Sequence, residues 1–340
     1  MQVYAGIDLH STNSYIGIID ENDQRLFQKR LPNELHEILL ALKPFKENLS
    51  GIAVESTYNW YWLVDGLQEA GYKVHLANPS AIKQYEGLKH TDDKWDSFWM
   101  AHILRLNILP EGHIYPKEHR PVRDLLRRRL LYVKQRTAHI LSLQSMITRN
   151  LGIKASVRAI KKLKEEDIEN MFGSSDLVFM AQSNISTIHF LTGKIKAIEK
   201  KVKSQSELRK EFKMLLTIPG IGDILGLTIM LEAGDINRFP KVGNYSSYCR
   251  CVRSEKLSNN KRKGENNKKN GNKYLSWAYT EAAHFAIRFC PQAQRFYQRK
   301  MSKKNKIVAI KALSNKICRA SYYVMRDQIP FEEEKLFRVQ

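Results

Sequence analysis

Acidic residues are the scarce charge in this chain: 35 Asp and Glu stand against 56 Lys and Arg, a formal net charge of +21 over 340 residues. An excess of that size repels itself unless an anionic partner offsets it, and nucleic acid is the commonest such partner. A membrane surface is the rival, but no apolar run is long enough to span a bilayer, so no membrane partner is expected. The first residues, MQVYAGIDLHS, lack the basic start and apolar core of a secretory signal, which makes the cytoplasm the expected compartment. Cysteine is sparse as well, with only Cys249, Cys251, Cys290 and Cys318. Cys249 and Cys251 form a lone CxC with no second pair and no partnering His pair, which argues against a zinc site. Buried free thiols in a reducing compartment are the expectation. Apolar residues are not scarce; at 43% they exclude general disorder, and the length calls for two or three domains.

Three textures follow one another along the chain. Residues 1–116 read as α/β. VYAGIDL and SYIGIID are short apolar strands separated by the turn-forming HSTN, so they form a hairpin. GIAVES and YKVHLAN are further strands. Helical spacing follows Leu35 and again covers Tyr61 to Ala70, with Gly71 as its stop. The alternation predicts a mostly parallel sheet covered on both faces. Residues 117–207 carry Leu126, Leu130, Val133, Thr137, Ile140, Ile147 and Leu151 at near-heptad spacing, then Ile188, Leu191, Ile195, Ile198 and Val202. That is a helical hairpin or coiled coil, whose apolar seam serves either an intramolecular bundle or a dimer. Residues 208–340 read as mainly α. Two apolar pieces flank Pro219-Gly220-Ile221-Gly222, and helices are expected near Tyr274–Phe289 and Lys306–Met325. Between them, Ser258 to Lys273 has no periodicity and is predicted to be a long loop.

Candidate chemistry begins with carboxylates. Asp8 ends one buried strand and Glu55 another, and a charge at the tip of an apolar strand is costly unless paired. Adjacent strands lie about 4.8 Å apart, so neighbouring tips would bring both within reach of one cation. Asp93 and Asp96, three apart in TDDKWDSFWMAHILR, share one face if that segment is helical. Spacing alone leaves open whether Asp92 or Asp93 is the partner, and a DxxD on a solvated helix is common. Mg²⁺, or Mn²⁺ in its place, prefers such hard oxygen ligands, and paired ions can stabilise both attacking and leaving oxygens of a phosphodiester. Further on, IPGIG has the look of a helix-hairpin-helix turn. There the backbone N–H groups of Gly220 and Gly222 can approach a phosphate. The alternative is a plain tight turn between core helices.

In order, strand Asp, strand Glu and helical Asp pair, the chain resembles the DEDD insertion-sequence transposases, a group including Piv-type DNA invertases and bridge-RNA-guided recombinases. GIDLH, AVEST and TDDKWDSFWMAHILR are similar to the three blocks that carry the family's acids, which fall here on Asp8, Glu55, Asp93 and Asp96. Ser97 stands where the family usually has Ala. The resemblance implies an RNase H-like (RuvC-like) first domain and a C-terminal transposase domain opened by a helix-hairpin-helix, on either side of the coiled-coil middle read from the heptad spacing. It also implies a serine nucleophile at Ser258, ahead of a basic loop in which Gly264, Lys269, Gly271 and Asn272 match the family's layout. Asn259 replaces the usual Gly after that serine, and Asn also tolerates positive φ. Arg250, Arg253, Lys261, Arg262, Lys263, Lys268 and Lys269 would then bind the nucleic-acid backbone. The implied activity is cutting and rejoining the element's own ends and target DNA through a serine–phosphate link. A non-coding guide RNA is the implied partner. The acids and the serine lie far apart in sequence and would meet across protomers, so a homo-oligomer, dimer or tetramer, is expected. The rivals are a metal-dependent four-way-junction endonuclease that does not use the serine, and a non-catalytic nucleic-acid-binding protein.

Overall fold

The computed structural model describes residues 1–82, 93–206, 209–264 and 270–337. They group into two compact units, Met1–Lys117 with Glu255–Asn270, and Glu118–Ser254 with Gly271–Gln340.

The first unit is built on strands β1 (Val3–Leu9), β2 (Asn13–Asp20), β3 (Arg25–Pro32), β4 (Leu49–Glu55) and β5 (Val74–Ala77), in the order β3-β2-β1-β4-β5. β1 pairs antiparallel with β2, and β2 with β3; β1–β4 and β4–β5 are parallel. The expected mostly parallel sheet is therefore corrected to a mixed one. The cause is a second tight turn, in which Asp20 Oδ1 accepts the N–H groups of Asn22 and Gln24, each at 2.8 Å. That turn returns the chain along β3, an exposed, basic edge strand with only Leu31 buried, so no apolar alternation announced it.

Strand alternation divides the sheet's two faces. Val3, Ala5, Ile7 and Leu9 of β1, with Ile52 and Val54 of β4, pack under helices α1 (Leu35–Leu42) and α2 (Tyr61–Glu69). The opposite face, bearing Gly6, Asp8, Ala53 and Glu55, meets α3 (Asp93–Arg105), whose Met100 and Leu104 cluster with Ala53 and Ala77. Glycine is required where α3 crosses β1: a Cβ on Gly6 would lie 1.9 Å from the Ser97 carbonyl oxygen. Ser97 is fully buried in that contact, which explains why only a small residue stands there.

In the second unit, α4 (Arg120–Leu151) and α7 (Ser175–Ser206) pack together, with the short α5 (Val157–Ile160) and α6 (Glu165–Glu169) between them in sequence. Ile140, Leu143, Met146 and Ile147 of α4 meet Ala181, Ile185 and Ile188 of α7, so this apolar seam is satisfied within one chain. The remaining helices are α8 (Lys210–Leu215), α9 (Asp223–Ala233), α10 (Val242–Tyr248), α11 (Lys273–Phe289), α12 (Pro291–Lys303), α13 (Lys306–Asp327) and α14 (Glu333–Phe337). Their core includes Leu227, Tyr245, Tyr279, Leu313 and Ile317. All four cysteines are free and buried. The predicted loop from Ser258 is corrected in part. It opens as a hairpin of β6 (Lys256–Ser258) and β7 (Lys261–Gly264), turning on Asn259 and Asn260 at φ 50° and 57°. Two successive positive φ values are what a two-residue hairpin turn needs, and Asn adopts them readily.

Candidate active site

Asp8 and Glu55 follow the paired residues Ile7 and Val54 at the ends of adjacent parallel strands. Both belong to the face covered by α3, and α3 begins with Asp93 and Asp96. Three elements thus carry four carboxylates to one end of the sheet. Asp8 is buried, Glu55 and Asp96 are half-buried, and Asp93 is exposed at the rim. Burial first, then a hydrogen bond to Asp8 and the charges of Asp8 and Asp96, push the Glu55 carboxyl from 4.5 up to about 8. Like charges crowded in a partly dry pocket hold a proton for this reason.

One residue at this site was not singled out from the sequence. His10, just past β1, places Nε2 3.0 Å from Asp8 Oδ2 and 3.3 Å from Asp93 Oδ2. Asp8, His10 and Asp93 each offer a ligand atom within 4.8 Å of the others. The His10 backbone is fixed, since its carbonyl accepts the side-chain amides of Asn33 at 2.9 Å and Asn59 at 3.0 Å. GIDLH contained the signal, a His two residues after the strand-end Asp. Asp92, the alternative to Asp93, lies outside the described residues.

The donor set fits a divalent cation. Asp8, His10 and Asp93 offer ligand atoms close enough for one ion, Glu55 hydrogen-bonds Asp8 and feels the charge of Asp96, and the raised Glu55 pKa records burial and like charge that a cation would offset.

Ser258 is exposed at the end of β6, and the segment Glu255–Asn270 groups with Met1–Lys117 in the unit that holds the acids. Among the basic residues, Arg253, Lys261 and Lys263 are exposed. Arg250 Nε donates to the Gly271 carbonyl at 3.1 Å, so it has a structural task. The Arg262 side chain and all of Lys268 and Lys269 lie outside the described residues.

The two hairpin glycines differ. A Cβ on Gly220, at φ 90°, would meet the Ala282 carbonyl at 2.2 Å, so Gly220 serves close packing of its turn on α11. Gly222 has open space where a Cβ would stand. Both line a cavity of about 710 Å³ with Arg129, Trp277 and Phe285.

Among the described residues no helix is long and apolar enough to cross a membrane. A comparison with curated proteins gives no match. Family models do match. Residues 5–150 fit the DEDD transposase model of the IS110 type, which spans the strands and helix carrying all four acids. Residues 212–298 fit the model described as transposase IS116/IS110/IS902 family, which spans the glycine turn and Ser258. Two separate stretches of the chain thus match, in order, models of IS110-type transposases, and these transposase domains make it an enzyme acting on DNA.

Proposed function

We infer that the chain cuts and rejoins the DNA of a mobile element, with Asp8, Glu55, Asp93 and Asp96 holding divalent metal and Ser258 as nucleophile. The observation carrying the reading is the convergence of the four acids from β1, β4 and α3 at one end of a mixed sheet, consistent with an RNase H-like domain. The serine assignment rests on resemblance to the recombinase members of the family. It gains support from the grouping of Glu255–Asn270 with the acidic domain. In functional terms we divide the chain into an acidic domain at 1–116, a helical spacer at 117–207 and a DNA-engaging domain at 208–340, where the IPGIG turn acts as a helix-hairpin-helix.

Mg²⁺ or Mn²⁺ bound by the four acids supplies charge neutralisation at the phosphate and a lowered pKa for a nearby hydroxyl. The chain's own residues supply the rest. Ser258 Oγ loses its proton and bonds to phosphorus, the bridging P–O bond breaks, and the departing strand's hydroxyl takes up a proton. Attack by a hydroxyl of new DNA reverses these changes and frees the serine. The phosphoserine link conserves the bond energy that hydrolysis would discard. His10 holds Asp8 and Asp93 in register, and Arg253, Lys261 and Lys263 bind the phosphate backbone around the serine. An element-encoded guide RNA specifies the DNA sites, and the active form is an oligomer; the first rests on the resemblance and the second on the sequence distance between acids and serine, and the charge of +21 suits either nucleic acid.

Ser258→Ala tests the reading. Loss of strand exchange, and of a covalent protein–DNA adduct on duplexes carrying the element's ends, is the expected result. Unchanged cleavage without the serine would make the protein a metal-dependent nuclease instead. Untouched recombination in Asp8→Asn and Asp96→Asn would remove the acids from catalysis altogether.

A further inference from the structure

The segment that carries Ser258 leaves the second unit after Ser254 and returns at Gly271. Its base is stapled. The Asn272 N–H donates to the Tyr248 carbonyl at 2.6 Å, and Arg250 Nε donates to the Gly271 carbonyl at 3.1 Å. Gly271, at φ 87°, permits this approach, since a Cβ there would lie 2.4 Å from the Tyr248 oxygen. Asn272 Oδ1 also caps α11, accepting from the N–H groups of Tyr274 at 2.8 Å and Leu275 at 3.1 Å.

Beneath this base lies a buried charge. Glu232 of α9 is 2% exposed. Its Oε1 accepts from Arg127 Nε of α4 at 2.6 Å, and its Oε2 accepts from Arg127 Nη2 at 2.8 Å and Asn272 Nδ2 at 2.7 Å. The Arg127 guanidinium also lies over the Tyr274 ring, 4.6 Å from its centroid. A buried ion pair contributes little net stability compared with well-packed apolar residues, but it fixes geometry, because each donor has one acceptor direction. This one joins two helices to Asn272, which follows Gly271, where the chain re-enters the unit.

We propose that Glu232, braced by Arg127, is a positioning residue for the Ser258 segment: through Asn272 it fixes the base from which the β6–β7 hairpin is presented. This rests on the nucleophile assignment above, and it assigns Glu232 no contact with DNA.

The test exchanges the polarity of the Glu232–Asn272 bond. Asn272→Asp keeps the oxygen that caps α11 but sets a carboxylate against Glu232. The double variant Glu232→Gln/Asn272→Asp restores one donor and one acceptor across that bond and keeps the net charge, but gives up the Arg127 Nη2 bond, because the amide nitrogen introduced at position 232, donating to the new carboxylate at position 272, takes the place of Oε2. The substrate is a nicked duplex spanning the abutted ends of the element, which traps a covalent adduct; duplex affinity and far-UV circular dichroism are measured alongside. Asn272→Asp is expected to slow adduct formation on the order of a hundredfold, as a displacement of about 1 Å at a reacting group does. Duplex affinity and helix content stay near wild type, and the double variant recovers part of the rate, at least several-fold over Asn272→Asp. Amide hydrogen exchange supplies a second readout that does not depend on catalysis: the β6–β7 amides exchange faster in Asn272→Asp while those of α13 do not, and the double variant reverses this. Unchanged exchange in β6–β7 overturns the proposal, as does equal loss of affinity and helix content without recovery in the double variant. If Ser258→Ala still forms the adduct, the nucleophile assignment fails by itself, and the exchange result still decides whether Glu232 holds the segment.

Discussion

Gly6→Ala adds one methyl group to the contact that holds α3 against β1. An ideal Cβ there lies 1.9 Å from the Ser97 carbonyl oxygen and 2.8 Å from the Ala101 nitrogen. Both obstacles are backbone, so no side chain can turn aside. To reach ordinary contact at 3.4 Å the helix must retreat by about 1.5 Å, and overpacking of this kind costs roughly 1–3 kcal/mol. That is several degrees of melting temperature for a unit of this size. Asp93 and Asp96 ride on the same helix, so they recede from Asp8 and Glu55. The expected outcome is a folded but less stable protein whose Mn²⁺ affinity falls at least tenfold, read by calorimetric titration beside urea unfolding. Gly193→Ala is the control: it lies within α7 with open space where its Cβ would stand, and it should stabilise by up to about 1 kcal/mol. If Gly6→Ala keeps both its unfolding midpoint and its Mn²⁺ affinity, close seating of α3 is not what assembles the acids.

Other expectations concern the same residues and their surroundings. Because Glu55 is raised from 4.5 to about 8, ionising it works against the folded state; its contribution is complete below about pH 4.5 and is lost as pH rises through about 8. Thermal melts should show metal-free protein weakening over that window, Mn²⁺ restoring more stability near pH 8 than in acid, and proton release on binding; a pH-independent Mn²⁺ effect would contradict the crowding argument. His10→Ala should weaken Mn²⁺ binding about tenfold or more while leaving the melting temperature within a few degrees, since this side chain is partly exposed; equal affinity would confine His10 to a spectator role. Gly222→Ala should leave stability unchanged but lower duplex affinity if its turn contacts phosphate, whereas Gly220→Ala should destabilise the second unit, as denaturant melts and filter binding will show. Burial pushes the Cys249 and Cys318 thiols up, so neither should react with a thiol reagent at neutral pH until the unit unfolds.

The acids were legible because each sits at a place that sequence marks strongly. Apolar strands that end in a charge, and a DxxD opening a helix, give position, and period-2 alternation then puts Asp8 and Glu55 on one face; the choice of these four acids, and of Asp93 over Asp92, comes from the resemblance. Gly71, the strand β5 and the helices near Tyr274 and Lys306 were readable for the same reason, as strong stop signals or strong periodicity. β3 was not: RLFQKRLP is an edge strand with one buried side chain, so it lacks the alternation on which a strand reading depends. The hairpin of β6 and β7 was hidden because its turn, Asn259-Asn260, sits among lysines and asparagines that also fit an irregular loop. α12 escaped because only Ala293 and Phe296 of its residues are buried. Whether the apolar repeats of α4 and α7 faced each other or another chain could not be read from heptads, which specify a seam and not its owner.

The deeper difficulty lies with residues whose meaning depends on chain path. Glu232 stands in an apolar helix, LGLTIMLEAG, where sequence offers only an acid near a helix end. Its role emerges when Arg127, more than a hundred residues earlier, and Asn272, forty residues later, meet it in the interior. The same holds for Gly220 and Gly271. Each reads as a generic turn glycine, yet one admits α11 and the other admits the Tyr248 carbonyl. A chain that sends a short segment out of one compact unit into another must fix both ends of that excursion, or the segment's tip inherits the freedom of its base. Two backbone-directed hydrogen bonds, a glycine with no room for a Cβ and a buried carboxylate at the single re-entry point restrict that freedom. Such constraints are set by three-dimensional neighbours that share no spacing, so no periodic pattern in one sequence could carry them.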